Sequence, residues 1–214
     1  MFAGHYEKWR ESRVGVMKKL LGDDFFKGKS ILEVGCGFGE IGFMLSQQGA
    51  TVTCSDARIE HIEEVRRRHS ELSTRVDDLD TNLIDLPYFD VIVHLGVLYH
   101  LKNFESNLMD TLKHCNYLIL ETEVCDSTDS TDVLRINETG YDQAFNGVGS
   151  RPSPSYIERI LESQNTVYRT ILDGDLNHAF HRYDWVHTNS KRWENGLRRF
   201  WICWKKEIPS PILA

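Results

Sequence analysis

The stretch Ser30–Gly49, SILEVGCGFGEIGFMLSQQG, decides how the rest of the chain is read. Ile31, Leu32 and Val34 make a short apolar run suited to a buried strand. Ile41, Met44 and Leu45 recur behind it at helical spacing. Between them, Gly35, Gly37 and Gly39 form a strand-to-helix turn that permits φ > 0 and lets a ligand lie against bare backbone. The helix start that follows presents unpaired N–H groups. Such a turn predicts a nucleotide-like ligand without saying which one.

The regions on either side supply the pattern of an α/β fold. Upstream, Tyr6–Leu21 reads as an amphipathic helix with Trp9, Val16, Leu20 and Leu21 on one face and Gly22 as its stop. This helix either packs against the sheet or carries Tyr6, Trp9 or Arg13 over the ligand. Downstream, Thr51–Ser55 reads as a strand, Ala57–His69 as a helix and Ser73–Val76 as a weaker strand. Phe89–Val97 is a strand buried on both faces, followed by a helix at Asn103–Cys115 and a strand at Tyr117–Val124. This alternation predicts a parallel sheet with right-handed crossovers and helices on both faces. Asp126–Pro154 loses periodicity and reads as a lid-like insertion. Ser155 and Glu158 have capping-box spacing ahead of another helix. His181–His187 and Arg199–Lys205 read as an aromatic-rich antiparallel pair at a sheet edge.

With 214 residues, 41% of them hydrophobic and 27% charged, the chain fits one α/β domain over 1–214. No run approaches the ~20 apolar residues of a membrane span. Met1–Gly4 leads into polar sequence rather than a signal-peptide core. Cys36, Cys54, Cys115, Cys125 and Cys203 are scattered, so reduced thiols in a cytoplasmic protein are expected, without a zinc site. His178 and His181 are spaced like metal ligands but lack a third, and no metal is expected. A net charge of −7 disfavours a polyanionic partner.

Two registers compete for the glycine turn. Gly37-Phe38-Gly39-Glu40-Ile41-Gly42 matches G-x-G-x-x-G, with Asp56 placed like a ribose-binding acid, as in dinucleotide sites. The other register, Glu33-x-Gly35-x-Gly37-x-Gly39, resembles motif I of the class I S-adenosylmethionine (SAM)-dependent methyltransferases. Asp78-Leu79 resembles their adenine-facing third motif, and Leu95–His100 (LGVLYH) resembles their motif IV beside the transferred methyl. The resemblance implies a Rossmann-like, seven-stranded, mostly parallel sheet with a C-terminal antiparallel edge pair. It also implies SAM as cofactor, held by Glu33, Gly35, Cys36, Gly37, Gly39, Asp56, Ala57, Asp78, Leu79, Leu95 and Gly96.

Within that superfamily, GVLYH (Gly96–His100), Leu120–Thr122, and a loop with Tyr141, Phe145 and Pro152–Ser155 resemble the tRNA wobble-uridine carboxymethyl-transfer enzymes, which use a carboxylated SAM. The stretch from Glu121 to Asp142 carries Glu121, Glu123, Asp126, Asp129, Asp132, Glu138 and Asp142 against Arg135 alone, a poor surface for RNA phosphates. Lys191, Arg192, Arg198, Arg199, Lys205 and Lys206 keep an RNA partner open. The expected activity is methyl transfer to a small molecule; RNA modification and a non-catalytic SAM-binding regulator are the alternatives. His100 is the candidate base and Tyr99 its neighbour on the catalytic side, while Glu121, Tyr141 and Arg151 are the candidate substrate contacts.

Overall fold

The computed structural model describes residues 4–81, 85–140, 143–194 and 196–213, with side chains from residue 6 onward. Its elements alternate as expected: α1 (Gly4–Leu21), β1 (Ser30–Val34), α2 (Glu40–Ser46), β2 (Thr51–Asp56), α3 (Ile59–Arg68), β3 (Ser73–Val76), β4 (Phe89–Leu95), α4 (Phe104–Lys113) and β5 (Cys115–Glu123). The second half adds β6 (Val133–Asn137), β7 (Val148–Pro152), α5 (Pro154–Ser163), β8 (Thr166–Ile171) and β9 (Arg198–Lys205). Seven strands form one sheet in the order β3-β2-β1-β4-β5-β9-β8. Only β9 runs against its neighbours, pairing antiparallel with both β5 and β8.

The period-2 alternation of the strands divides the core in two. Ile31, Val91, Val93, Ile119 and Ile202 face one layer with Trp9, Met17, Leu45, Ile62 and Val65 of α1, α2 and α3. Leu32, Val34, Ile92, Leu118, Leu120 and Trp201 face the other with Leu108, Ile157 and Leu161 of α4 and α5. Strand order reverses between β1 and β4, so a crevice opens beyond their carboxyl ends, where open α/β sheets bind ligands.

Three expectations are corrected. First, the edge partner of β9 is Thr166–Ile171, not His181–His187. Among the described residues, 181–187 makes only isolated bridges, His178 with His181 and Arg182 with Leu197. Its alternating aromatics anchor a loop instead. Tyr183 accepts a hydrogen bond from Trp9 Nε1 at 3.0 Å, and Trp185 donates to the Arg198 carbonyl at 2.9 Å. The Arg199 guanidinium stacks 3.7 Å from the Trp185 ring and donates to the carbonyls of Tyr183 and Trp185.

Second, the insertion at 126–154 contains an antiparallel hairpin, β6 with β7, in register from Val133–Pro152 to Asn137–Val148. The hairpin docks on the turn after β4: Ser150 Oγ donates to the Leu101 carbonyl at 2.5 Å, and Arg151 donates to the Tyr99 carbonyl at 2.8 Å. Third, the cap of α5 is Ser153, whose hydroxyl accepts from Tyr156 N–H, with Pro154 opening the helix; Ser155 lies inside it. Ser153→Ala is expected to cost about 1 kcal/mol, the usual value of a serine N-cap, and Ser155→Ala much less. Urea midpoints of the two variants measure the difference.

Candidate functional site

The glycine turn is held open by geometry that a side chain would disrupt. Gly35 sits at φ 61°, and a Cβ there would lie 2.6 Å from Val97 of the turn after β4. Gly37 N–H donates to Asp56 Oδ2 at 3.1 Å, and Arg58 N–H donates to Oδ1 at 2.9 Å. Asp56 therefore ties the turn to the end of β2 and, with four acceptor positions on its carboxylate, retains capacity for ligand hydroxyls. Glu33 reaches from β1 to accept from Gly42 N–H at 2.8 Å and from the Cys54 thiol at 3.5 Å. A Cβ on Gly42 would meet Glu33 Oε2 at 2.7 Å, so the last glycine of the G-x-G-x-x-G string makes room for this carboxylate. Burial pushes the Glu33 carboxyl up to about 7, opposed by those two donors.

The cleft above the turn is lined by Glu33, Gly35, Cys36, Gly37, Asp56, Ala57, Asp78, Leu79, Leu95 and Gly96, all expected from the sequence. Gly39 does not line it. At φ 80° it starts α2 and packs toward Val65 and Cys54. Tyr99 and His100 also border the cleft, as do Tyr6, Trp9, Arg10 and Arg13 of α1 and Gln143, Phe145 and Asn146 of the hairpin tip. Asn146 donates toward Asp78 at 3.3 Å and Asp80 at 3.1 Å. Beneath Leu79, the Asn107 amide donates to its carbonyl at 3.0 Å and is oriented in turn by His94 Nε2 at 3.0 Å. Burial pushes His94 down to about 4 and keeps it neutral.

Behind the cleft runs a buried ladder of alternating charge. Arg13 donates to Glu121 at 3.2 Å, and Arg198 donates to Glu121 at 2.7 Å and Glu123 at 3.1 Å. Arg151 donates to Glu123 at 2.7 Å and to Glu138 at 2.5 Å, and Glu138 Oε2 ends the ladder 2.5 Å from His100 Nδ1. Two aromatic rings thread it. Trp9 lies against Arg13, Arg198 and His181, and Tyr99 lies between Arg151 and Arg198 at 4.7 and 4.8 Å.

Sequence reasoning placed Glu121 and Arg151 against substrate. Both are instead buried members of this ladder and do not line the cleft. Tyr141 lies outside the described residues. Burial raises the Tyr99 hydroxyl to about 12, so it stays protonated at neutral pH. Glu138, Arg13 and Arg198 were missed as a set. The sequence signal was weak: Arg198 opens an aromatic-rich strand, where an unpaired buried charge is too costly to keep, but Arg13 and Glu138 sit in polar surroundings.

The ladder also changes two surface expectations. Glu121, Glu123, Asp126 and Glu138 are buried and paired, so the stretch from Glu121 to Asp142 is not an open acidic face. Arg198 and Arg199 are buried too, so they add nothing to a basic edge. Among the described residues, no cluster of His, Cys, Asp and Glu could hold a metal, and no helix is long and apolar enough to cross a membrane.

A methyltransferase-domain family model matches residues 32–119, from β1 to β5. Over 87 residues the chain is 32% identical to a ubiquinone biosynthesis O-methyltransferase of Rickettsia conorii, 39% of this chain and 30% of that protein. A tRNA U34 carboxymethyltransferase of Ruthia magnifica is 29% identical over 188 residues, 80% of this chain and 56% of that protein. The chain thus spans between about a third and just over half of the length of these curated relatives.

The chain shares its fold with solved methyltransferase structures. The N-terminal domain of EvdMO1, crystallised in the presence of S-adenosylhomocysteine (SAH) and D-fucose, superposes with a TM-score of 0.68 at 16% identity. That match covers 95% of this chain and 84% of the other. A magnesium protoporphyrin IX methyltransferase from Synechocystis with bound SAM gives 0.61 at 17% identity, covering 93% and 80%.

Two outcomes follow from the ladder. Truncating one member of a buried ion pair costs roughly 3–5 kcal/mol, so Arg198→Met is expected to be destabilised on that scale in denaturant unfolding. Burial alone would raise the Glu138 carboxyl, but His100 and Arg151 outweigh it and hold it at about 2, below its ordinary 4.5. Its contribution is therefore present above about pH 4.5 and lost as pH falls through 2. Thermal midpoints taken from pH 5 to pH 2 should fall less steeply in Glu138→Gln than in the parent protein.

Proposed function

We propose that the protein is a SAM-dependent methyltransferase acting on a small-molecule acceptor bound between α1 and the β6–β7 hairpin. The observation that carries this reading is the cleft at the β1–β4 switch point, where Asp56, Asp78 and Leu79 face a turn of bare glycine backbone. The lining suits a cationic nucleoside better than a dinucleotide. Carboxylates of Glu33, Asp56, Asp77, Asp78 and Asp80 border the cleft, and Gly42 accommodates Glu33 rather than a diphosphate. In this reading Gly35, Gly37 and Gly96 pass beneath the methionine and ribose portions. Asp56 accepts the ribose hydroxyls, and Asp78 with Leu79 meets the adenine. SAM supplies an activated methyl group on sulfur; the chain supplies alignment and exclusion of water.

A second reading, modification of an RNA nucleoside, is supported by the match to the tRNA U34 carboxymethyltransferase over 80% of this chain. A carboxylated SAM belongs to that reading. Mass identification of the copurifying ligand separates the possibilities. SAM or SAH supports the first, carboxylated SAM promotes the second, and NAD overturns both.

Asp56→Ala is expected to weaken SAM and SAH binding by roughly 1–3 kcal/mol, the scale of a charged hydrogen bond, in calorimetric titration of the folded variant. With the Glu33 carboxyl pushed up to about 7, it gains negative charge as pH rises through neutrality. The preference for SAM, whose sulfonium is cationic, over neutral-sulfur SAH should grow from pH 6 to pH 8. Glu33→Gln should flatten that dependence.

A further inference from the structure

His100 closes the far end of the ladder at the cleft, opposite Arg13, which borders the cleft at the other end. It follows β4 in a short 3-10 turn, and its side chain borders the cavity while its Nδ1 points away, to Glu138. Glu138 comes from the far end of β6. Its Oε1 accepts from Arg151 Nη2 at 2.5 Å, and its Oε2 accepts from the Ala144 N–H at 2.9 Å as well as lying 2.5 Å from His100. A carboxyl group surrounded by donors on both oxygens is an acceptor throughout, so the proton in the His100 contact sits on Nδ1. Neutral imidazole carries one proton, and Nε2 is then left with its lone pair. Among the described residues nothing engages Nε2, and the ring edge stays partly open to the cleft. The ring is steadied by Tyr99, whose centroid lies 4.0 Å away and whose own position is fixed between two guanidinium groups.

We propose that Glu138 is a positioning residue that fixes His100 as the Nδ1–H tautomer, making Nε2 a general base, and that the methyl acceptor is a hydroxyl group, which must lose its proton to react. This deepens the transferase reading and rests on it. A thioether or an unprotonated tertiary amine attacks with a lone pair it already has, and a carboxylate needs no base. A neutral hydroxyl is the acceptor whose reactivity depends on proton removal. The acceptor oxygen gives its proton to Nε2 and bonds to the methyl carbon, while the carbon–sulfur bond breaks and its electron pair stays on sulfur. The imidazolium then returns its proton to water. The aromatic side chains of Tyr6, Trp9 and Phe145 around the same cleft suit an acceptor with a flat apolar body.

The tautomer can be read without any acceptor. Long-range proton–nitrogen correlation spectra of the 15N-labelled protein, with the His100 signals identified by their loss in His100→Asn, should show a protonated Nδ1 and an acceptor-type Nε2. Glu138→Gln should shift population toward Nε2–H while SAM binding by calorimetry stays within about twofold. A parent protein with Nε2–H, or a tautomer indifferent to Glu138→Gln, overturns the proposal. In a second arm, methyl-tritiated SAM is incubated with a metabolite extract and the labelled product is identified by mass. An O-methyl product whose formation drops about 100-fold or more in His100→Gln supports the base. A methyl group on a tertiary amine or thioether overturns it. If SAM binds and nothing is labelled, the transferase reading fails, and the tautomer measurement still decides the role of Glu138.

Discussion

Three guanidinium groups and three carboxylates buried behind one cleft are the constraint around which this molecule is arranged. Each charge is too costly to bury alone and tolerable only between its neighbours. The members come from α1, β5, β9, β7 and the end of β6, and the ladder finishes on the turn after β4. Satisfying it therefore fixes where five elements meet. An apolar cluster of the same volume could stabilise as much, but it would accept small slips in register. The alternating charges accept none, because a displaced strand leaves a bare ion.

That requirement explains the placement of the hairpin. Arg151 on β7 bridges Glu123 of the sheet to Glu138 beside His100, so the hairpin is bound to the sheet through its charges as well as through Ser150 and Leu101. The same hairpin carries Asn146 to Asp78 and Phe145 to the cleft wall. One supersecondary unit thus touches both the nucleoside end and the acceptor end of the proposed site. Trp9 and Tyr99 fill the gaps between guanidinium planes and exclude water from the ladder.

The glycine-turn side of the cleft was legible in the sequence because it is local. Gly35, Gly37, Asp56, Asp78 and Gly96 each sit within a few residues of a strand end, and strand ends follow from hydrophobic pattern. The side that carries His100 was not. Glu138 meets His100 across 38 positions, and Arg198 meets Glu121 across 77; no spacing rule encodes such partners. For the same reason Glu121 and Arg151 read as substrate contacts. Their charge was visible, but the neighbours that consume it were not. The edge strand was missed for a different cause. Thr166–Ile171 is β-branched and aromatic enough to be a strand, yet half-exposed and short, and the brighter aromatics of 181–187 drew the assignment. The N-cap slipped by two residues because Ser153 and Ser155 flank Pro154, and only the proline's preference for the first helical turn separates them.

The position of β9 has a consequence in time. It lies between β5 and β8 in the sheet, although it follows both in the chain. Until residues 198–205 leave the ribosome, the nascent chain has a gap where a strand belongs, and Glu121 and Glu123 have no Arg198 to face. The Rossmann-like half can lay down its parallel strands early. The charge ladder, and with it the seat of the hairpin that carries Glu138, closes only when that late strand slides into the middle. Synthesis order thus separates two events: the glycine-turn floor of the cleft is built first, and the wall that carries His100 and the hairpin is locked afterwards.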